Sequence, residues 1–381
     1  MKKVKLGDVC KIQSGGTPSR GNLNYWNNGN VPWVKISDIK EKYLSRTEEF
    51  ITQEGLANSS AKIFPKETIL YTIFATLGEV SILEIEATTN QAIAGLQIID
   101  ENICKDYLYY YLISLKPFVN EVGRGVAQNN INMQILRNFE IPLPSLEEQK
   151  AIARKLDKVS GLIEKRKTQL EKLSELVKSR FIEMFGGVHD SKIYPYKAVK
   201  ELTDVVSGGT PSRDISEYWE EGTIPWVKTT ELQNNIVTEV EEYITEQGLS
   251  NSSAKIVPSG TVLIAMYGQG KTRGMTAYLG IEACTNQACA CILPSAKINQ
   301  TFLWQFFILS YDNLRDMAKG GNQPNLNGNM IKNYPILCPP RELQEQFAAF
   351  VEQVDKSKFE IQQSLEKLEI LKKSLMQQYF G

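Results

Sequence analysis

The sequence predicts an α+β protein: two similar mixed α/β domains at opposite ends of an antiparallel two-helix coiled coil, related by an internal pseudo-two-fold repeat. Three observations predict it. The 381 residues are long for one hydrophobic core and sufficient for two. Blocks of the first half return in the second at an interval of 193 positions, far above the roughly 20–50 residues of a solenoid repeat. Each half then closes on a stretch whose apolar residues recur in alternating steps of four and three, the coiled-coil period.

The elements follow in order. Ser14-Gly15-Gly16-Thr17-Pro18-Ser19-Arg20 recurs letter for letter as Ser207-Gly208-Gly209-Thr210-Pro211-Ser212-Arg213. Tyr25-Trp26 returns as Tyr218-Trp219, Pro32-Trp33-Val34-Lys35 as Pro225-Trp226-Val227-Lys228, and Asn58–Ile63 as Asn251–Ile256, all at 193. The interval then drifts: Thr89-Asn90-Gln91-Ala92 matches Thr285-Asn286-Gln287-Ala288 at 196, and Glu148-Gln149 matches Glu345-Gln346 at 197. Phe185-Gly186 matches Phe380-Gly381 at 195. Thr68–Phe74 and Thr261–Ala265 read as strands entered through Pro-containing turns. Tyr107–Leu115 and Phe302–Leu309 read as helices whose aromatics pack a core.

Ser145 followed by Glu148 is a capping box that opens the first long helix. Its seam is Ile152, Leu156, Val159, Ile163, Leu170, Leu173 and Val177, interrupted at Arg166. In the second copy Leu343, Phe347, Phe350, Val354, Ile361, Leu368, Leu371 and Leu375 follow the same rule, with polar breaks at Ser357 and Ser364. So narrow a stripe needs a partner, and the sister helix supplies one; packing of each helix onto its own domain is the alternative. The expected segments are a domain at 1–144, a helix at 145–185, a turn at 186–195, a domain at 196–339 and a helix at 340–381.

Composition excludes several chemistries. His189 is the single histidine, which argues against histidine-ligated metals and histidine acid–base catalysis. Cys10, Cys104, Cys284, Cys289, Cys291 and Cys338 lack paired CxxC spacing, so no metal site is expected. No apolar run is long enough to span a bilayer, and the start lacks the apolar core of a signal peptide, so a cytoplasmic location with reduced thiols and no membrane partner is expected. Lys and Arg number 43 against 44 Asp and Glu, for a net charge of −1. By segment the charge is zero over 1–144, +3 over 145–185, −3 over 196–339 and −1 over 340–381. No segment is basic enough to hold DNA tightly by phosphate attraction alone.

The ordered blocks, with the Asn-rich stretches Gln128–Asn132 and Gln323–Asn327 and the Pro-rich entries to both long helices, resemble type I restriction–modification specificity subunits over the whole chain. No single block is specific; their order, written twice, is. The resemblance implies a non-catalytic reader of double-stranded DNA. Each mixed domain would be a target recognition domain binding one half of a bipartite, asymmetric target. The paired helices would space the half-sites and dock two DNA adenine methyltransferase subunits, with restriction translocase subunits joining that core. S-adenosylmethionine, ATP and Mg would belong to those partners, and this chain would hold no cofactor.

Candidate DNA contacts fall into three groups. The glycine loops offer Ser14, Thr17, Ser19 and Arg20, with Ser207, Thr210, Ser212 and Arg213, as phosphate ligands; the alternative is a turn that needs glycine for positive φ. Lys35 and Lys228 either reach phosphates or stay solvated. Asn and Gln can read adenine in the major groove, which brings in Gln128, Asn130, Gln323 and Asn325, although their recurrence in both halves favours phosphate or structural roles. The segments that differ between the halves suit base reading better: Thr72 and Thr76 in the first, and Tyr267, Gln269, Lys271 and Arg273 in the second. Ala265–Thr272 also comes close to a phosphate-binding Gly-Lys-Thr loop. Residues 273–280 read as turn and strand rather than the helix such a loop requires. A nucleotide hydrolase and a DNA-independent coiled-coil scaffold are the rival readings.

Overall fold

The computed structural model describes residues 2–124, 130–318 and 325–381. In the first half the strands are β1 (Lys3–Lys5), β2 (Cys10–Ser14), β3 (Val31–Val34), β4 (Tyr43–Leu44), β5 (Glu49–Ile51), β6 (Ile69–Thr72), β7 (Val80–Leu83), β8 (Thr88–Thr89), β9 (Ile93–Ile98) and β10 (Glu140–Pro142). The helices are α1 (Leu6–Val9), α2 (Gln53–Ala57), α3 (Lys105–Ser114), α4 (Lys116–Arg124), α5 (Met133–Arg137) and the 40-residue α6 (Leu146–Phe185). A five-stranded sheet runs β2-β9-β6-β7-β4, a three-stranded one β5-β3-β8, and β1 pairs with β10 to bring the two ends of the domain together.

The second half repeats this plan. Its strands are β11 (Tyr196–Ala198), β12 (Val205–Ser207), β13 (Ile224–Val227), β14 (Asn235–Val237), β15 (Glu242–Ile244), β16 (Val262–Ala265), β17 (Thr276–Leu279), β18 (Cys284–Thr285), β19 (Cys289–Ile292) and β20 (Pro335–Leu337). Its helices are α7 (Val199–Leu202), α8 (Glu246–Ser250), α9 (Gln300–Leu309), α10 (Tyr311–Met317), α11 (Gly328–Lys332) and the 40-residue α12 (Arg341–Phe380). The sheets run β12-β19-β16-β17-β14, β15-β13-β18 and β11-β20, position for position the order of the first half. Strand β6 sits inside its sheet, buried at all four positions, and so reads as a continuous apolar run instead of an alternating one.

The residue interval is constant at 193 as far as β6 and β16, is 196 from β7 and β17 through the start of β9 and β19, and settles at 195 from α3 and α9 onward. The larger step is a single event: the connection 266–275 is three residues longer than 73–79. Helices α3 and α9 form where the aromatic runs predict them, with Tyr107, Tyr110, Phe302, Phe306 and Phe307 in the two cores.

Two compact units result: 1–167 with 363–381, and 168–362. Each contains one domain, the N-terminal half of its own helix and the C-terminal half of the other. In the first unit Ile152 and Leu156 share a core with Leu375, Met376 and Phe380, and the Phe380 ring lies 5.3 Å from Tyr107. In the second, Val177, Phe181 and Phe185 share a core with Phe347, Val351 and Val354, and Phe185 lies 5.2 Å from Phe302. The helices are antiparallel in each unit, and each helix ends inside the core of the other repeat's domain. Both expectations for the seam therefore hold at once: helix on helix, and helix on domain.

The capping box forms as read: Ser145 N–H donates to Glu148 Oε2 at 2.9 Å, and Glu148 N–H to Ser145 Oγ at 3.3 Å. One turn on, buried Gln149 accepts from Cys104 N–H at 2.8 Å and donates to Pro144 O at 3.0 Å, fastening the helix head to its domain. The residue that does this in the second copy is Gln344, accepting from Asn299 N–H and donating to Pro339 O, both at 2.8 Å. The interval of 197 is thus corrected to 195, and Gln149 corresponds to Gln344, not Gln346.

In the first seam Leu156, Val159, Ile163 and Val177 are buried and Ile152, Leu170 and Leu173 half-buried. In the second, Phe347 and Val354 are buried and Phe350, Ile361 and Leu368 half-buried. Leu371 is corrected: it is 45% exposed, and the buried positions include Val351 and Leu365 instead. Stepping back from Leu368 by three gives Leu365, and stepping forward by four gives Lys372; after the breaks at Ser357 and Ser364 the 3–4 rule admits both phases.

Candidate nucleic-acid interface

The glycine loops are built by close approach. A Cβ on Gly15 would run into the hydroxyl and carbonyl of Thr89, and one on Gly16 into Ser60. Gly208 and Gly209 meet Thr285 and Ser253 in the same way. None of the four has positive φ, so the turn explanation is corrected: glycine is needed for space. The loop amides are also committed, with Gly15 N–H donating to Ile93 O at 3.1 Å and Gly16 N–H to Thr89 O at 2.8 Å. Trp33 Nε1 donates to Gly16 O at 3.0 Å, and Trp226 Nε1 to Gly209 O at 2.9 Å. Thr17 donates to Gln91 and Thr210 to Gln287, so the two repeated motifs meet. A phosphate cradle made from these amides is not what the loops form.

The basic residues are likewise engaged within the domain. The Arg20 guanidinium lies 3.7 Å from the Trp26 ring centroid and 4.7 Å from that of Trp33, and donates to Glu49 at 2.6 Å. Arg213 repeats this with Trp219 at 3.6 Å, Trp226 at 4.9 Å and Glu242 at 2.5 Å. Lys35 pairs with Glu48 and Glu49 at 2.9 and 3.1 Å, and Lys228 with Glu241 and Glu242 at 2.7 and 2.9 Å. Burial pushes the Glu49 and Glu242 carboxyls up, but hydrogen bonds from their arginine and lysine outweigh it and hold both below the ordinary value. The hydrogen bonds that Lys35 donates to Glu48 and Glu49 raise it above the ordinary lysine value, as do those from Lys228 to Glu241 and Glu242. The motif reading leaves out the glutamates, whose recurrence at 193 beside two recurring cations was the available signal. Ser14, Ser19, Ser207 and Ser212 remain partly or fully exposed.

The segments that differ between repeats form the tips of two hairpins. In the first unit β6 and β7 are joined by 73–79; Ile131 N–H donates to Ile73 O at 2.9 Å, and Phe74 bridges to Asn130. In the second, β16 and β17 are joined by 266–275, and Leu326 N–H donates to Met266 O at 3.0 Å. Among the described residues, Asn130 and Ile131 thus lie against the first hairpin and Leu326 against the second. Asn132 and Asn327 are helix caps, accepting from Ile135 and Met330 N–H at 2.8 and 2.9 Å. Gln128 and Gln323 lie outside the described residues.

Thr76 is exposed, and so are Tyr267, Gln269 and Lys271. Thr72 is corrected: it is fully buried, and its hydroxyl accepts from Glu79 N–H at 2.8 Å inside the hairpin. Arg273 is half-buried, with its carbonyl held by Arg315 at 3.1 Å. The Gly-Lys-Thr segment passes through turns directly into β17, so no helix N-terminus faces it and it lacks the geometry of a nucleotide loop. Among the described residues no helix is long and apolar enough to cross a membrane.

Comparison with known proteins agrees with this frame. The family model described as the type I restriction modification DNA specificity domain matches residues 1–174 and again 194–372. The MjaIX type I restriction enzyme specificity subunit of Methanocaldococcus jannaschii is 28% identical over 376 residues, covering 92% of this chain and 85% of that one. The EcoprrI specificity subunit of Escherichia coli is 24% identical, covering 92% and 87%. The crystal structure of the S subunit of the M. genitalium type I system is similar in fold, with a TM-score of 0.58 at 16% identity over 100% of this chain and 96% of that one.

Proposed function

The chain belongs to the type I restriction–modification DNA specificity family and carries the family domain twice; from that premise we propose that each domain reads one half of a bipartite, asymmetric DNA target. One observation carries the asymmetry: two domains of identical strand order present hairpin tips of different length and sequence, Phe74-Ala75-Thr76-Leu77-Gly78-Glu79 against Tyr267–Met275. A frame that differs at its tips is suited to reading two different half-sites.

In this reading the chain is non-catalytic and cytoplasmic. Two DNA adenine methyltransferase subunits dock on it, with restriction translocase subunits joining them, and those partners bring S-adenosylmethionine, ATP and Mg. Phosphate neutralisation is shared with the partners, in keeping with the net charge of −1 and with the internal pairing of Arg20, Arg213, Lys35 and Lys228. Selection on random duplexes with the methyltransferase partner present is the test. A split motif with a fixed gap and two dissimilar halves is expected, and absence of any enriched motif from the assembled complex would refute the reading.

A further inference from the structure

Phe74 and Tyr267 are equivalent residues, and both hold their rings out at the surface, 45% and 40% exposed. Each follows a residue whose backbone is pinned on both sides. Ile73 donates to Ala92 O at 2.9 Å and accepts from Ile131; Met266 donates to Ala288 O at 2.8 Å and accepts from Leu326. Directly after each ring the chain turns through an unusual conformation, Ala75 at φ 63° and Gly268 at φ 148°. Helices brace the tips: Lys116 of α4 pairs with Glu79 at 2.6 Å, and Tyr311 of α10 donates to Lys271 O at 2.7 Å. Another exposed aromatic pair, Phe50 and Tyr243, has an internal partner, because each lies directly opposite a proline in its sheet, Pro32 and Pro225. Phe74 instead lies opposite the polar Asn130.

A residue type shared by both tips cannot distinguish two half-sites, whereas its neighbours differ. Aromatic stacking on bases is tolerant of sequence because every base has a flat face, and an apolar wedge partly unstacks the step it enters. We propose that Phe74 and Tyr267 are wedges, one per half-site, each pressing its ring against a base step while the differing neighbours, Thr76 in one tip and Gln269 and Lys271 in the other, read the adjoining base edges. The proposal rests on the DNA reading above. Pinning the residue before each ring ahead of binding lowers the ordering cost of the contact.

The test uses the chain assembled with its methyltransferase partner and duplexes of the selected target, with 2-aminopurine placed at successive positions of each half-site. In the unmodified complex fluorescence should rise at one step in each half besides the adenine that the methyltransferase flips out. Phe74→Ala should abolish the rise in one half only and weaken binding roughly tenfold to a hundredfold, with the selected sequence unchanged; Tyr267→Ala should do the same in the other half, and Phe74→Tyr should preserve the signal. Away from the adenine that a methyltransferase flips out of the stack, a rise that survives Phe74→Ala belongs to the partner and overturns the wedge, as does unaltered affinity. A changed target sequence would make the ring a reader of bases and overturn it too. Unmodified complex that enriches a target without any rise overturns the wedge alone; failure to enrich any target removes the DNA reading itself, and the wedge with it. Thermal unfolding of each variant separates these outcomes from misfolding.

Discussion

The guanidinium of Arg20 is shared between a tryptophan face at 3.7 Å and the carboxylate of Glu49 at 2.6 Å, and the same set of contacts is built around Arg213. An arginine held this way would have to give up stacking and an ion pair before reaching a phosphate. A half-exposed cation–π contact with an accompanying ion pair contributes about 1 kcal/mol. Arg20→Ala should therefore lower the stability of the first domain by about that amount in thermal or urea unfolding. It should leave the salt dependence of DNA binding by the assembled complex unchanged. Each phosphate contact steepens that dependence by about 0.9 in the log–log slope, so a slope shallower by that amount in the variant would place Arg20 on the backbone after all. The sequence shows the repeated cation but not its occupation, because Arg20 and Glu49 meet only once β3 and β5 pair.

At the level of elements, the helices were legible in their start, length and period. Ser145 and Glu148 form the capping box that their spacing announces, and Leu156, Val159, Ile163 and Val177 are buried as their steps of four and three require. What the period could not settle is which side of an ambiguous stretch turns inward. Leu365 and Leu371 both lie three residues from Leu368, and packing buries Leu365 and exposes Leu371. Nor could spacing say that each helix ends in the other repeat's core. Phe185 closes the first repeat in sequence, yet it is fully buried among Phe302 and Phe347 of the second. Truncating a buried phenylalanine costs about 3–5 kcal/mol. Phe185→Ala should therefore lower amide-exchange protection in the core of 196–339 and leave that of 1–144 near its original level. Equal loss in the first domain would show that the helix is anchored where it begins.

For the molecule as a whole, duplication is the feature that sequence displays most directly, since identical blocks in register survive any uncertainty about individual elements. Its functional consequence depends on the helices, because each compact unit takes half of α6 and half of α12 and both chains of helix pass from one unit to the other. If these helices set the gap between half-sites, changing their length should change the gap and nothing else. Four residues add about 6 Å of helix, close to the rise of two base pairs at about 3.4 Å each. They also complete roughly one turn, so the seam residues beyond the insertion keep nearly their original facing. The insertion belongs between 167 and 168 and between 362 and 363, where both helices cross from one unit to the other; lengthening one alone would throw its seam out of step with its partner and should weaken assembly. With both lengthened, selection on random duplexes should return the same two half-sites separated by one or two more base pairs. An unchanged gap would assign the spacing to the partner subunits and leave the helices as a means of joining two readers in one chain.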